Sequence, residues 1–169
     1  MTGTDRPLLF LDVDGPLIPF GDPPPGGYPT YRSPYGSGTV PGGNPLAARV
    51  DPALGPRLLG LPCEPVWATT WLDDANECLA PWLGLPQLPV VEWPLEEEDQ
   101  PGGIHWKTRT LVAWAAGRPF VWVDDEITEA DRRWVAAHSP VPALLHRVDP
   151  QRGLTEADFG LLESWLRSA

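Results

Sequence analysis

Three apolar runs in this sequence stop abruptly at residues suited to chemistry. Leu8-Leu9-Phe10-Leu11 runs into Asp12-Val13-Asp14-Gly15, Pro65-Val66-Trp67-Ala68 into Thr69-Thr70, and Phe120-Val121-Trp122-Val123 into Asp124-Asp125. If the runs are strands of one sheet, their ends converge on one crevice. Four carboxylates held that close repel, so protons or a cation must neutralise them. A hard, all-oxygen donor set suits Mg²⁺. Lys107, at the start of a helix after Gly102-Gly103, supplies compensating positive charge and would stabilise a nucleophile and a transferring group. The Thr69 hydroxyl and nearby backbone N–H groups would hold phosphate oxygens against the charge that develops in phosphoryl transfer. Thr70 competes with Thr69 for that role.

Taken singly, each residue has a plainer reading. Asp12 and Asp14 would cap a turn, Asp124-Asp125 would cap the helix opened by Thr128, and Lys107 would be a surface lysine. Their order in one chain is what gives them a common purpose. His105 reads as a surface histidine at a helix start. Most of the nine tryptophans, Trp114, Trp122 and Trp165 included, read as core packing. Tyr28, Arg32, Tyr31 and Tyr35 read equally as a substrate rim or as solvated loop.

The elements that must position these residues alternate between strand and helix. Leu8 to Val13 is apolar without alternation, as in a strand covered on both faces of a parallel sheet. From Ile18 to Pro45 proline removes donors and glycine admits positive φ, so a long loop or flap is expected after Pro16. Leu46 to Val50 fits a short strand or helix. Asp51-Pro52 offers a cap and first position for a helix through about Leu59. Helices are predicted over Asp73 to Leu83, stopped by Gly84, and over Ile104 to Ala116. Short strands are predicted over Leu88 to Trp93 and Pro142 to His146. Thr128 and Asp131 form a capping-box pattern for a helix to about His138, and Thr155-Glu156 opens an amphipathic helix presenting Phe159, Leu162, Trp165 and Leu166. The pattern predicts an α/β three-layer sandwich with a mostly parallel central sheet.

A chain of 169 residues suits one domain. The acidic balance, 23 Asp plus Glu against 12 Lys plus Arg and a net charge of -11, disfavours a broad nucleic-acid or acidic-membrane surface. Before Asp12 the chain carries one Arg and only a brief apolar run, so neither a signal peptide nor a membrane anchor is expected there. Cys63 and Cys78 lack metal-site spacing and read as free thiols in a reducing compartment, the cytoplasm.

Leu8 to Gly15, Thr69, Lys107 and Asp124-Asp125 resemble, in order and in strand placement, the four motifs of the haloacid dehalogenase (HAD) superfamily. The resemblance implies that Asp12 attacks phosphorus to form an aspartyl phosphate, while Asp14 protonates the leaving oxygen and then activates water. It also implies that Asp124 and Asp125 hold Mg²⁺ with the Asp12 carboxylate and the Asp14 backbone carbonyl. Gly15 and Thr70 are the substrate-binding positions it suggests. The superfamily's dehalogenases lack the second aspartate; its presence here favours phosphoryl chemistry. Pro16 departs from the Thr or Val common after the motif glycine and stiffens the entry to the flap.

Neither interval where the superfamily inserts cap domains is long enough for a large one, so a capless or minimally capped, open site is expected. Such a site admits a large substrate or a second copy of the chain in a homodimer. Ala68-Thr69-Thr70-Trp71, Gly153-Leu154-Thr155 and Trp165 are further similar to the HAD domains of bacterial Swiss Army Knife RNA-repair proteins. That narrower likeness implies a phosphatase for nucleic-acid ends. The substrate is then a small-molecule or nucleic-acid-end phosphomonoester, and the rival reading is a catalytically idle module that binds a phosphorylated ligand or partner.

Overall fold

The computed structural model describes residues 6–35, 45–94 and 103–169. The acidic stretch Glu96 to Gln100, Gly102 and the middle of the Pro/Gly segment lie outside the described residues.

Four parallel strands form the sheet: β1 (Leu8–Leu11), β2 (Glu64–Trp67), β3 (Phe120–Asp124) and β4 (Ala143–Arg147). Their order is β2-β1-β3-β4. Every residue of β1 and β3 is buried, which is why these strands read as unbroken apolar runs. Alternate side chains feed two cores. Leu9, Leu11, Val121 and Val123 pack with α1 (Leu54–Leu59), α2 (Ala80–Leu83) and α5 (Glu156–Ser168). Leu8, Phe10, Phe120 and Trp122 pack against α3 (Thr108–Ala115) and α4 (Glu129–His138). The result is the expected three-layer α/β architecture, with no large cap among the described residues. Among the described residues no helix is long and apolar enough to cross a membrane.

Both α4 and α5 open with capping boxes, Thr128 with Asp131 and Thr155 with Asp158. Phe159, Leu162 and Leu166 of α5 are buried, and Trp165 packs partly buried beside them.

Local chemistry alters several predicted elements. Leu46 to Arg49 falls in a 3₁₀ turn, Pro45–Arg49, and Val50 in the bend after it. The Asp51 carboxylate accepts the Ala53 N–H at 2.9 Å, a turn of its own, so α1 starts only at Leu54. The predicted helix from Asp73 is split into a π-helical turn, Ala75–Leu79, and the short α2. Pro81 has no N–H to continue the regular ladder there. Gly84 ends α2 at φ 68°, as its sequence position suggested. Leu88 to Trp93 makes only one bridge, between Trp67 and Val90. Pro89 lacks a donor, and the Asn76 amide takes both the N–H and the carbonyl of Leu88 at 2.8 Å. Helix α3 starts at Thr108 rather than Ile104, and the turn before it is held by bonds outside the helical ladder, the His105 N–H donating to Asp131 and the Lys107 N–H to the His105 ring. Trp114 is exposed over part of its ring while meeting Phe10 edge-on at 5.6 Å.

Candidate active site

The register builds the site. Leu11 pairs with Trp67 on one side and Val123 on the other, so the next residues, Asp12, Ala68 and Asp124, lie level at the carboxyl edge. Chain order reverses between β1 and β3, the kind of switch point where open α/β sheets bind ligands. Lys107, just ahead of α3, reaches across all three strand ends. Its ammonium lies 2.9 Å from the Ala68 carbonyl, 2.9 Å from Asp124 Oδ2 and 3.2 Å from Asp12 Oδ1.

Burial makes this arrangement electrostatically tense. Asp12 is pushed up from 3.8 to about 8, by desolvation first and by Asp124 in addition, against the opposing pull of Lys107. Asp125 is raised to about 7 by desolvation and by its contact with Asp124. Desolvation acts on Asp124 too, but the Lys107 charge and hydrogen bond outweigh it and hold that carboxyl below its ordinary value. Burial alone would lower Lys107; the two carboxylates reverse the sign and raise it. One lysine therefore faces three carboxylates, and ligand atoms of Asp12, Asp124 and Asp125 lie within 4.8 Å of one another. Hard donors, short separations and uncompensated negative charge fit a divalent cation such as Mg²⁺.

Gly15 makes room for the set. Its φ is +104°, and a Cβ there would stand 2.8 Å from the Asp125 carboxyl carbon. Asp14 stands apart from the three: its Oδ2 accepts the Trp71 indole N–H at 3.2 Å. A cavity of about 270 Å³ is lined by Asp12, Asp14, Thr70, Lys107 and Asp125, together with Phe20, Trp106 and Glu126. Thr70 is exposed on that wall, whereas Thr69 is wholly buried. The Thr69 hydroxyl accepts the Trp71 N–H at 3.1 Å and its carbonyl the Trp93 indole N–H at 3.0 Å.

Residues 8–159 match the family described as the HAD domain in Swiss Army Knife RNA repair proteins. The chain belongs to that family. It is thus a HAD-superfamily hydrolase domain with a Rossmann-like core, and the likeness read from Ala68-Thr69-Thr70-Trp71 and Gly153-Leu154-Thr155 is borne out. No curated protein matches the chain, and no solved structure does.

Two side chains that support the site of this HAD domain escape a reading of motifs. In the sequence Trp71 is only part of a motif, and in the fold its indole grips Asp14. Asp131 was read as a cap, and does more: one oxygen accepts Thr128 N–H and hydroxyl at 2.8 and 2.9 Å, the other His105 N–H and Thr108 hydroxyl at 2.6 and 2.8 Å. Asp131 is fully buried. Its missing signal is tertiary, because nothing near Asp131 in sequence announces a partner 23 residues earlier. His105 is similarly occupied. The Lys107 N–H donates to its Nδ1 at 3.1 Å, so Nε2 carries the proton given to Glu126 at 2.7 Å.

Proposed function

We propose that this HAD domain is a Mg²⁺-dependent phosphatase that hydrolyses a phosphomonoester through an aspartyl phosphate on Asp12. The observation that carries the reading is the juxtaposition of Asp12, Lys107 and the Asp124-Asp125 pair beside a cavity that also exposes Asp14. Asp12 supplies the attacking oxygen as the bond from phosphorus to the leaving oxygen breaks, and Asp14 delivers a proton to that oxygen. Water then attacks the acyl phosphate, Asp14 takes its proton, and inorganic phosphate leaves with Asp12 regenerated. Lys107 orients Asp12 and favours its charged form against the burial that raises it, and the Thr70 hydroxyl on the cavity wall holds a phosphate oxygen. Mg²⁺ would be held by Asp12, Asp124 and Asp125 with the Asp14 carbonyl, and supplies positive charge for the phosphoryl oxygens.

The family's description favours a narrower version in which the phosphate sits at a nucleic-acid end. An open cavity leaves room for that polymer outside the site, or for a second copy of the chain. The free thiols of Cys63 and Cys78 fit a cytoplasmic location. The test is hydrolysis of a generic aryl phosphate with Mg²⁺ and its loss in Asp12→Asn; end-phosphorylated oligonucleotides assayed beside it separate the narrower version from the broader. A folded wild type that turns over nothing across a broad phosphate panel would instead be a binding module.

A further inference from the structure

The cavity has no cation to spare for a leaving group. All 12 Lys and Arg side chains fall within the described residues, and of these only Lys107 lines it. That ammonium is already taken by Asp12, Asp124 and the Ala68 carbonyl. Glu126 and Asp14 on the same wall add negative charge, which repels further anionic groups. Affinity for whatever carries the phosphate must come from another source.

Two aromatic rings offer it. Phe20 is 41% and Trp106 37% exposed, and both line the cavity. Neither ring is buried by the fold. The Trp106 ring is anchored, edge-on to Trp93 at 4.9 Å, tilted over His105 at 5.3 Å and 5.6 Å from the Lys107 ammonium, while Phe20 is held at its backbone, whose N–H donates to the Pro150 carbonyl at 2.8 Å. Preformed aromatic faces attract planar rings with little ordering cost. At about 270 Å³ the cavity is just under the usual size of a small-molecule site, roughly 300–1,000 Å³, enough for a phosphoryl group and one ring.

Building on the phosphatase reading, we propose that Phe20 and Trp106 form a slot for an uncharged planar ring on the leaving group. The domain accordingly prefers phosphomonoesters whose leaving alcohol bears such a ring, an aryl group or a nucleobase, over ringless ones. Both residues determine specificity and take no part in the bond changes.

The experiment compares kcat/KM, with Mg²⁺, for benzyl phosphate, adenosine 5′-monophosphate and glycerol 1-phosphate. All three leave as primary alkoxides, so intrinsic reactivity is matched. Wild type should favour a ring-bearing ester over glycerol phosphate by about tenfold or more, in line with the strength of ring stacking. Phe20→Ala and Trp106→Ala should each shrink that ratio, through KM rather than kcat. Preference for benzyl phosphate alone assigns the slot to a simple aryl group, and preference for the nucleotide assigns it to a base. Equal use of all three esters, or a ratio that neither variant changes, overturns the proposal. Because Trp106 adjoins Lys107, Phe20→Ala and the milder Trp106→Leu guard against misplacement of the lysine. Failure of folded wild type to hydrolyse these esters, the end-phosphorylated oligonucleotides or any member of the broad phosphate panel rejects the phosphatase reading. Quenching of tryptophan fluorescence in Asp12→Asn by benzyl phosphate and the nucleotide, but not by glycerol phosphate, then decides the slot by itself: quenching supports it and its absence overturns it.

Discussion

The Asp131 carboxylate accepts the Thr108 hydroxyl at 2.8 Å, tying the first residue of α3 to the cap of α4. Lys107 directly precedes Thr108, and Asp124-Asp125 directly precedes the loop that Asp131 caps. The lysine and the acids it neutralises are thus held by one buried strut, although they lie on different elements.

Replacing Asp131 with Ala should therefore damage the site and the fold together. It leaves the Thr108 hydroxyl, the His105 N–H and the Thr128 N–H without their partner, removing the carboxylate half of the α4 capping box. Each such loss costs about 1–3 kcal/mol, and the sum should be on the order of 3 kcal/mol. Thermal unfolding should shift down by roughly 10 °C. At a temperature where the variant is folded, kcat should fall well below wild type because Lys107 loses its anchor. An unchanged kcat in folded Asp131→Ala would show that Lys107 is positioned without it.

The raised carboxyls make metal-free stability depend on pH. Asp12 stands at about 8 and Asp125 at about 7, against 3.8 in an unfolded chain. Below about pH 4 both states hold these protons and nothing is gained or lost. As pH rises, the unfolded chain releases them first, so stability falls until about pH 8. Asp124, held low by Lys107, adds stability that is lost only in stronger acid, and raised Lys107 loses its contribution only in stronger base. In chelator the melting temperature should decline from about pH 5 to about pH 8, and excess Mg²⁺ should restore most at the upper end. A melting temperature indifferent to Mg²⁺ at about pH 8 would argue against cation binding by Asp12, Asp124 and Asp125.

Much of the framework was legible because burial writes itself into sequence. Leu8 to Leu11 and Phe120 to Val123 are apolar on both faces, and strands of that kind sit centrally in a parallel sheet. Aspartates that interrupt such runs have few places to be except a strand end. The Thr128 and Thr155 caps were legible because capping is local. What was hidden depends on partners distant in sequence. Asn76 saturating Leu88 removes a predicted strand, Trp71 reaches back to Asp14, and Asp131 ties His105 and Thr108 to the start of α4. Trp106 falls in the same class, since only the folded chain distinguishes an aromatic lining a cavity from one filling a core.

Gly15 gives a sharper test of the acid cluster. Alanine there is strained at φ +104°, and its Cβ would collide with the Asp125 carboxyl at 2.8 Å. Asp125 must move or Gly15 must change conformation. Gly15→Ala should therefore raise the Mg²⁺ concentration needed for half-maximal activity by about tenfold or more, consistent with disruption of a supporting contact at a metal site. Isothermal titration with Mg²⁺ would check it, and wild-type affinity in the variant would mean that the backbone at Gly15, not Asp125, gives way.

The indole N–H on Asp14 leads to a prediction that separates proton transfer from phosphoryl transfer. Trp71→Phe keeps a smaller aromatic ring but deletes the donor that fixes Oδ2 at 3.2 Å. An aryl oxide leaves without help, whereas an alkoxide needs a proton from Asp14, and positioned proton transfer is worth about 10²–10⁴-fold. Loss of orientation should forfeit part of that, roughly tenfold, on alkyl phosphates, with a much smaller loss on p-nitrophenyl phosphate. If both classes of ester slowed equally, Trp71 would be shaping the fold of the turn after Thr69 and Thr70, where its backbone N–H already meets the Thr69 hydroxyl. If only the alkyl esters slowed, the indole would be orienting the proton donor.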